Sequence, residues 1–195
     1  MIHDPWIDKH RERKISALLA LKAELEGQGQ MTMTDKAATV LVYRIVIKAS
    51  AHSIWDAITK PEWTERYAYG GRVQYELKAG GHYHHEASAE MKSFGLPDKV
   101  ILGEVLESDP PRKLVQTWHP QFTPEMTAEP PSRLTYEIME GQGVCTVTIT
   151  HDVTGAPMVA GMVPGGGDPA KGGGGWPWVL SDLKSLLETG ARMPT

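Results

Sequence analysis

Apolar residues recur at steps of three and four between Ile7 and Leu25. Ile15, Leu18, Leu19, Leu21 and Leu25 form a stripe, and Lys9, Arg11, Arg13, Lys14, Lys22, Glu24 and Glu26 fill much of the rest. That is the pattern of an amphipathic helix. The Gly27-Gln28-Gly29-Gln30 run stops it, and Met31 to Ala38 reads as a linker. At Thr39 the period changes to two. Leu41, Tyr43, Ile45 and Ile47 alternate with Val40, Val42, Arg44 and Val46. Apolar residues on both sides predict a strand buried largely on both faces.

Ser50 is a good helix N-cap, and Ile54, Trp55 and Ile58 make an apolar stripe behind it. A second short helix starts around Pro61, since proline is tolerated in a first turn. Alternating segments then follow in succession: Arg72 to Lys78, His82 to Ser88, Lys99 to Glu107, Lys113 to His119, Arg133 to Met139 and Val144 to His151. Ala79-Gly80-Gly81, Asp109-Pro110-Pro111 and Glu140-Gly141-Gln142-Gly143 are turn signals between them. Gly155 to Gly175, rich in Gly and Pro, reads as a mobile loop. Trp176, Val179, Leu180, Leu183, Leu186 and Leu187 give the apolar face of a closing helix, Trp176 to Glu188, with Gly190 placed to end it. Strands in a row with segregated helices predict an α+β domain.

The order and several residues resemble the branch of the SRPBCC (START-like) superfamily named for homologues of the heat-shock protein 90 ATPase activator. The pieces are Ala49-Ser50 before Ile54-Trp55-Asp56-Ala57-Ile58-Thr59, then Pro61-Glu62, Gly80-Gly81 and Gly103-Glu104-Val105. Asp109 to Leu114, Trp118, Gly175-Trp176, Leu180, Leu183-Lys184 and Leu187-Glu188 continue the series. The resemblance runs from about Thr39 to Thr189. It implies a helix-grip fold, a curved antiparallel sheet wrapped around the long C-terminal helix with a cavity between them. Residues 1–38 then form an extra N-terminal helix and linker, and residues 39–190 the START-like domain. Tyr67 stands where the family carries Trp, and the Pro164 to Gly175 loop is unusually long. Both lie near the expected mouth of the cavity, over which the loop would make a lid.

The chain has 195 residues, 41% of them hydrophobic, enough for a sizeable core. A net charge of -4 argues against nucleic acid as the main partner, because phosphate binding needs a basic face. The single cysteine, Cys145, precludes an internal disulfide and suits a reducing, cytoplasmic setting. No apolar run reaches the length of a membrane helix, and none follows the charged N-terminus as a signal peptide would require.

Chemistry-bearing runs give little. Alternation puts His82, His84 and Glu86 on one strand face and Tyr83 with His85 on the other. Two imidazoles and a carboxylate suit zinc or iron, but a solvated polar face is the plainer reading, and no metal is expected. The Gly165 to Gly172 run lacks the Gly-Lys-Ser/Thr ending of a phosphate loop, so no nucleotide cofactor is expected. Cys145 with His119 or His151 could pair as nucleophile and base. Alternation with Val147 and Ile149 makes Cys145 a small buried hydrophobe instead.

Aromatic side chains are the better candidates. Tyr43, Trp55, Tyr67, Tyr75, Tyr83, Trp118, Tyr136 and Trp176 lie on elements facing the expected cavity or its rim. Trp55 and Trp118 read first as core. The tyrosines offer an apolar ring with a polar tip, which suits a ligand pocket. The expectation is non-catalytic binding of a hydrophobic or aromatic small molecule. A cyclase- or hydrolase-type enzyme and a co-chaperone-like interaction module are the alternatives. A homodimer formed through the N-terminal helix is also expected.

Overall fold

The computed structural model describes residues 39–167 and 173–194. The expected N-terminal helix and linker lie outside the described residues, as does the middle of the glycine-rich loop. Strand β1 (Val40–Ile47) leads into helices α1 (Ala51–Thr59) and α2 (Pro61–Thr64). Strands β2 (Arg72–Tyr75) and β3 (His82–Glu86) form a hairpin, followed by helix α3 (Ala89–Ser93). Strands β4 (Lys99–Asp109) and β5 (Lys113–Pro120), helix α4 (Pro124–Ala128), and strands β6 (Ser132–Glu140) and β7 (Cys145–Asp152) come next. Helices α5 (Pro157–Met162) and α6 (Gly175–Thr189) close the order.

All seven strands join one antiparallel sheet in the order β1-β7-β6-β5-β4-β3-β2. Register shifts at His85/Glu86 and between Val105 and Glu107 break the ladder on either side of β4. Such irregularities bend and twist a sheet locally. The curved sheet holds α6 against its concave face, with α1 and α2 beside it. This is the helix-grip architecture.

The ends of the helices follow local chemistry. Ser50 Oγ accepts from the Ser53 amide at 3.1 Å and starts α1. Gly190, at φ 78°, takes the left-handed conformation that ends α6. Along α6, Trp176, Leu180, Leu183 and Leu186 are buried at helical spacing, and all belong to the same core cluster as the sheet's inward residues. Asp182 is also fully buried, on the flank of this stripe. Its carboxylate accepts from the Ala68 amide at 2.8 Å and the Met193 amide at 2.6 Å. The Arg192 guanidinium stands 3.6 Å away and donates to the Ala68 carbonyl. The α2–β2 connection and the C-terminal tail are thereby tied to one side of α6. Ala68 itself sits at φ 52°, a conformation that costs energy for a residue with a Cβ. The Asp182 contact holds it there.

Three expectations change. β1 is an edge strand, covered on one face only: Val40, Val42 and Val46 are 52%, 59% and 48% exposed. Apolar side chains on both faces therefore do not mean burial on both, because the helices pack on the concave side alone. The Arg72 to Lys78 segment stops pairing at Tyr75, and Leu77 is exposed. The stretch from Gly155 contains a helix, α5. Its first amides are met from far away: Glu129 accepts from Met158 at 2.8 Å and from Val159 at 3.3 Å. A helix capped by a residue 29 positions upstream leaves no local signal. Helices α3 and α4, each five residues long, are likewise too short to show a period, although Ser88 and Thr123 cap them as expected of such residues.

Asp182→Ala should destabilise the fold by about 2 kcal/mol, since it leaves the part-buried Ala68 and Met193 amides without their acceptor. Urea unfolding followed by tryptophan fluorescence measures this. A loss below about 1 kcal/mol would show that the side chain does not hold the flank together.

Candidate functional site

The sheet's register lines up its inward residues in rows. One row reads Leu41, His151, Leu134, Gln116, Val105, and the next reads Tyr43, Ile149, Tyr136, Leu114. On the far side of the sheet Tyr75 faces Tyr83, and Tyr83 faces Gly103. The Tyr75 and Tyr83 rings stack at 4.7 Å. Tyr83 lies over β4 and its hydroxyl donates to the Thr117 carbonyl on β5 at 2.7 Å. Gly103 makes that crossing possible: a Cβ there would stand 2.3 Å from the Tyr83 ring. The Tyr75 hydroxyl donates to Gln116 Oε1 at 2.7 Å, and the Tyr67 hydroxyl to the Ala57 carbonyl at 3.2 Å.

Four phenols thus converge from the α2–β2 connection, β2, β3 and β6. Burial raises the pKa of Tyr67, Tyr75, Tyr83 and Tyr136; the Asp182 carboxylate adds to the rise at Tyr67, and neighbouring phenols add to the others, Tyr67 raising Tyr75, Tyr75 and Tyr136 raising Tyr83, and Tyr75 and Tyr67 raising Tyr136. They stay neutral near pH 7 and act as hydrogen-bond donors, not as bases. Tyr75 and Tyr136 keep part of their surface open to solvent, although burial dominates their shifts. His85, beside Tyr83 at 5.9 Å, behaves alike: half-buried, with burial and then His84 lowering its pKa to about 4.

A second cluster joins the helix to the sheet. Trp176 Nε1–H donates to His151 Nδ1 at 3.0 Å. His151 is therefore protonated on Nε2, which donates to Ser132 Oγ at 2.8 Å. The Ser132 hydroxyl donates in turn to the Trp118 carbonyl at 2.9 Å. Every polar atom of this fully buried chain has a partner. The rings pack edge to face: Trp118 on His151 at 5.2 Å and Tyr136 on Trp176 at 6.1 Å. Desolvation lowers the His151 pKa to about 4, against a smaller opposing pull from Asp152.

The sequence candidates distribute as follows. Tyr67, Tyr75, Tyr83 and Tyr136 come together, and Trp118 and Trp176 pack at their border. Trp55 is 7% exposed within the core of α1. Tyr43 stands apart, half-buried in an open cleft of about 370 Å³ between β1 and α6, lined also by Val42, Ile45, Pro177 and Leu180. A comparable cleft lies at the β6–β7 turn, lined by Ala49, Ser50, Glu140 and Cys145. Both clefts are away from the tyrosines. His82, His84 and Glu86 share a face as alternation predicts, with His84 Nε2 3.8 Å from Glu86 Oε1. Among the described residues no three His, Cys, Asp or Glu side chains gather to hold a metal. Cys145 and His151 occupy opposite ends of β7, about 20 Å apart at the rise of a strand. Burial raises the Cys145 thiol, with Glu140 adding to the rise. His119 turns away to the Thr127 carbonyl at 3.1 Å. Among the described residues, no helix is long and apolar enough to cross a membrane.

Sequence reasoning missed Gln116, which is 1% exposed. The signal was there: a glutamine between Leu114 and Trp118, at an inward position of an alternating strand. It also missed the pairing of His151 with Trp176, which joins positions 25 residues apart and leaves no local trace.

A curved antiparallel sheet gripping a C-terminal helix over an aromatic interior defines a domain of the SRPBCC class. Residues 48–188 match the family model "Activator of Hsp90 ATPase homolog 1-like protein", and the chain belongs to that family. The fold is similar to CalU16 from Micromonospora echinospora, at TM-score 0.56 and 20% identity over 80% of this chain and 78% of that one. It is also similar to the protein encoded by gene BPP1335 from Bordetella parapertussis, at TM-score 0.57 and 18% identity over 86% and 83% of the two chains. The Aha1 dimer from Colwellia psychrerythraea gives TM-score 0.53 and 15% identity over 78% and 98%. No functionally curated protein matches the chain.

The depressed His151 pKa has a defined consequence. The unfolded chain takes up a proton near pH 6.5, and the folded one only near pH 4. Stability from this group is therefore complete above pH 6.5 and is lost as the pH falls toward 4, on the order of 3 kcal/mol in total. Thermal unfolding should give a level Tm above pH 7 and a falling one between pH 6.5 and 4.5. In His151→Gln, less stable at pH 7, that fall should be shallower. An equal slope in both proteins would assign the loss to other groups, of which His85 is the first.

Proposed function

We propose that this domain binds a hydrophobic or aromatic small molecule between the concave face of the sheet and helix α6, without catalysing a reaction. The observation that carries the reading is the convergence of Tyr67, Tyr75, Tyr83 and Tyr136, of which Tyr67 and Tyr83 are buried and Tyr75 and Tyr136 partly so. Ligand sites are mostly apolar with a few polar groups that fix orientation, and this wall has that mix. The neutral phenols argue against acid–base work near pH 7, where a catalytic group needs a pKa close to the working pH. His85 and His151, both near 4, are also poorly matched to it.

Diphenylhexatriene, an apolar dye that fluoresces when taken out of water, tests this reading. It should bind the full chain saturably. Tyr75→Ala and Tyr136→Ala should each weaken it about tenfold, the worth of one good aromatic contact, while keeping a cooperative unfolding transition. No saturable binding, or binding unchanged in both variants, would overturn the reading.

Association of two copies is a second reading, favoured by the outer face of the sheet. Register places Val46, Thr146 and Met139 in one solvent-facing row, and Met139 is 68% exposed. Val40 and Val42 extend this apolar surface along the edge strand. The chain that precedes β1 carries the amphipathic pattern of Ile7 to Leu25, whose apolar stripe also needs cover. That one solved relative is an Aha1 dimer agrees with the reading. Light scattering should give a dimer mass for the full chain and a monomer mass when residues 1–36 are removed. A monomeric full chain would end it.

A further inference from the structure

The tyrosine wall contains one polar group whose hydrogen bonds the protein does not complete. Gln116 is 1% exposed, and its Nε2 has no hydrogen-bond partner among the described residues. A buried amide donor left unmet is costly, and a leucine or methionine in its place would carry no such penalty. The neighbours explain why nothing in the protein answers it. Val105 and Leu134 flank Gln116 in its cross-strand row, and neither side chain can accept a hydrogen bond. The Tyr75 hydroxyl donates to Gln116 Oε1 and the Tyr83 hydroxyl to the Thr117 carbonyl; their oxygens keep lone pairs that could accept, but neither is placed to take a bond from Nε2. Tyr83 lies near enough for Gln116 to oppose the rise in its pKa, yet not in hydrogen-bond geometry with Nε2.

The amide's orientation follows from the Tyr75 contact. The hydroxyl donates to Oε1 at 2.7 Å, so oxygen faces Tyr75 and the two N–H bonds point elsewhere. Tyr75 in turn is braced by its stack on Tyr83, which Gly103 permits. The glutamine is thus a donor held in place by two aromatic side chains from other strands.

We propose that Gln116 is the polar anchor of the site, and that it selects a flat apolar ligand bearing a neutral oxygen acceptor, such as a ketone, quinone or ester carbonyl. This rests on the small-molecule reading above. An ammonium group has no lone pair to offer the Nε2 donor, and an alcohol could accept from it only by burying an O–H of its own among apolar side chains. A carboxylate would be buried without a counter-charge, because the buried residues around the cluster include no lysine or arginine. A carbonyl on an aromatic frame satisfies both the donor and the rings beside it.

The test is a matched pair of flat tricyclic probes, 9-fluorenone and fluorene, which differ only in a C=O for a CH2. Titration of the full chain, followed by tryptophan quenching, should show fluorenone bound about tenfold tighter, the effect of one buried hydrogen bond. The carbonyl stretch of bound fluorenone should shift to lower frequency. Gln116→Met should bind both probes equally and leave the carbonyl band where an apolar solvent puts it. The comparison of the two probes on the unaltered protein stands even if the variant does not fold. Equal affinities for the two, with no band shift, would overturn the inference and leave the binding reading intact. So would failure of both probes while diphenylhexatriene binds. Failure of all three would overturn the binding reading itself.

Discussion

The Trp176–His151–Ser132–Trp118 chain is the contact on which the arrangement of this domain depends. It runs from the first turn of α6 through β7 and β6 to the backbone of β5. Each donor meets one acceptor, so the chain has a single sense and a single imidazole tautomer. Apolar packing alone would let α6 slide along the sheet, because leucines at helical spacing fit a concave surface in more than one register. The buried hydrogen bond does not permit it: a shift would leave the Trp176 indole N–H and one imidazole nitrogen of His151 unpaired in the core. Asp182 performs the same service on the helix flank, where it holds the Ala68 and Met193 amides.

With α6 fixed, the other features follow. Tyr136 packs against Trp176, and the four phenols gather where the sheet curves away from the helix. Tyr83 reaches across β4 only because position 103 has no side chain. Gln116 then sits between two apolar neighbours with one amide group answered and the other open. One stretch of interior has its hydrogen bonds met, and Gln116, two strands along the same cross-strand row, does not. The contrast between them locates the candidate site. Polar groups in the locked cluster all face each other, whereas Gln116 Nε2 has no such partner.

The family match and the solved relatives agree on the fold at identities of 15–20%. At that distance the likeness shows the fold alone, and the ligand reading stands on this chain's own tyrosines and glutamine. The outer face has its own character. Its exposed valines on β1 and Met139 on β6 belong to a surface that the gripping helix never touches.

Much of this was legible in the residues. Period-two alternation placed the strands within a few positions, since a strand with one face on a core must alternate. The spacing of Trp176, Leu180, Leu183 and Leu186 showed α6, and Ser50 and Gly190 marked helix ends through hydrogen bonds made within four residues. Alternation marked Tyr75, Tyr83 and Tyr136 as inward-facing phenols, together with Tyr43, which lines a separate cleft. What stayed hidden was set by partners distant along the chain. The edge position of β1 decided that Val42 is exposed; its own pattern said the reverse. Glu129 capped α5 from 29 residues upstream, and Trp176 met His151 across 25. Periodicity and caps are short-range properties of a chain. Strand order, the direction of a buried hydrogen-bond chain and the unmet donor of Gln116 exist only once segments distant in sequence share one interior, and so the tertiary structure alone decided them.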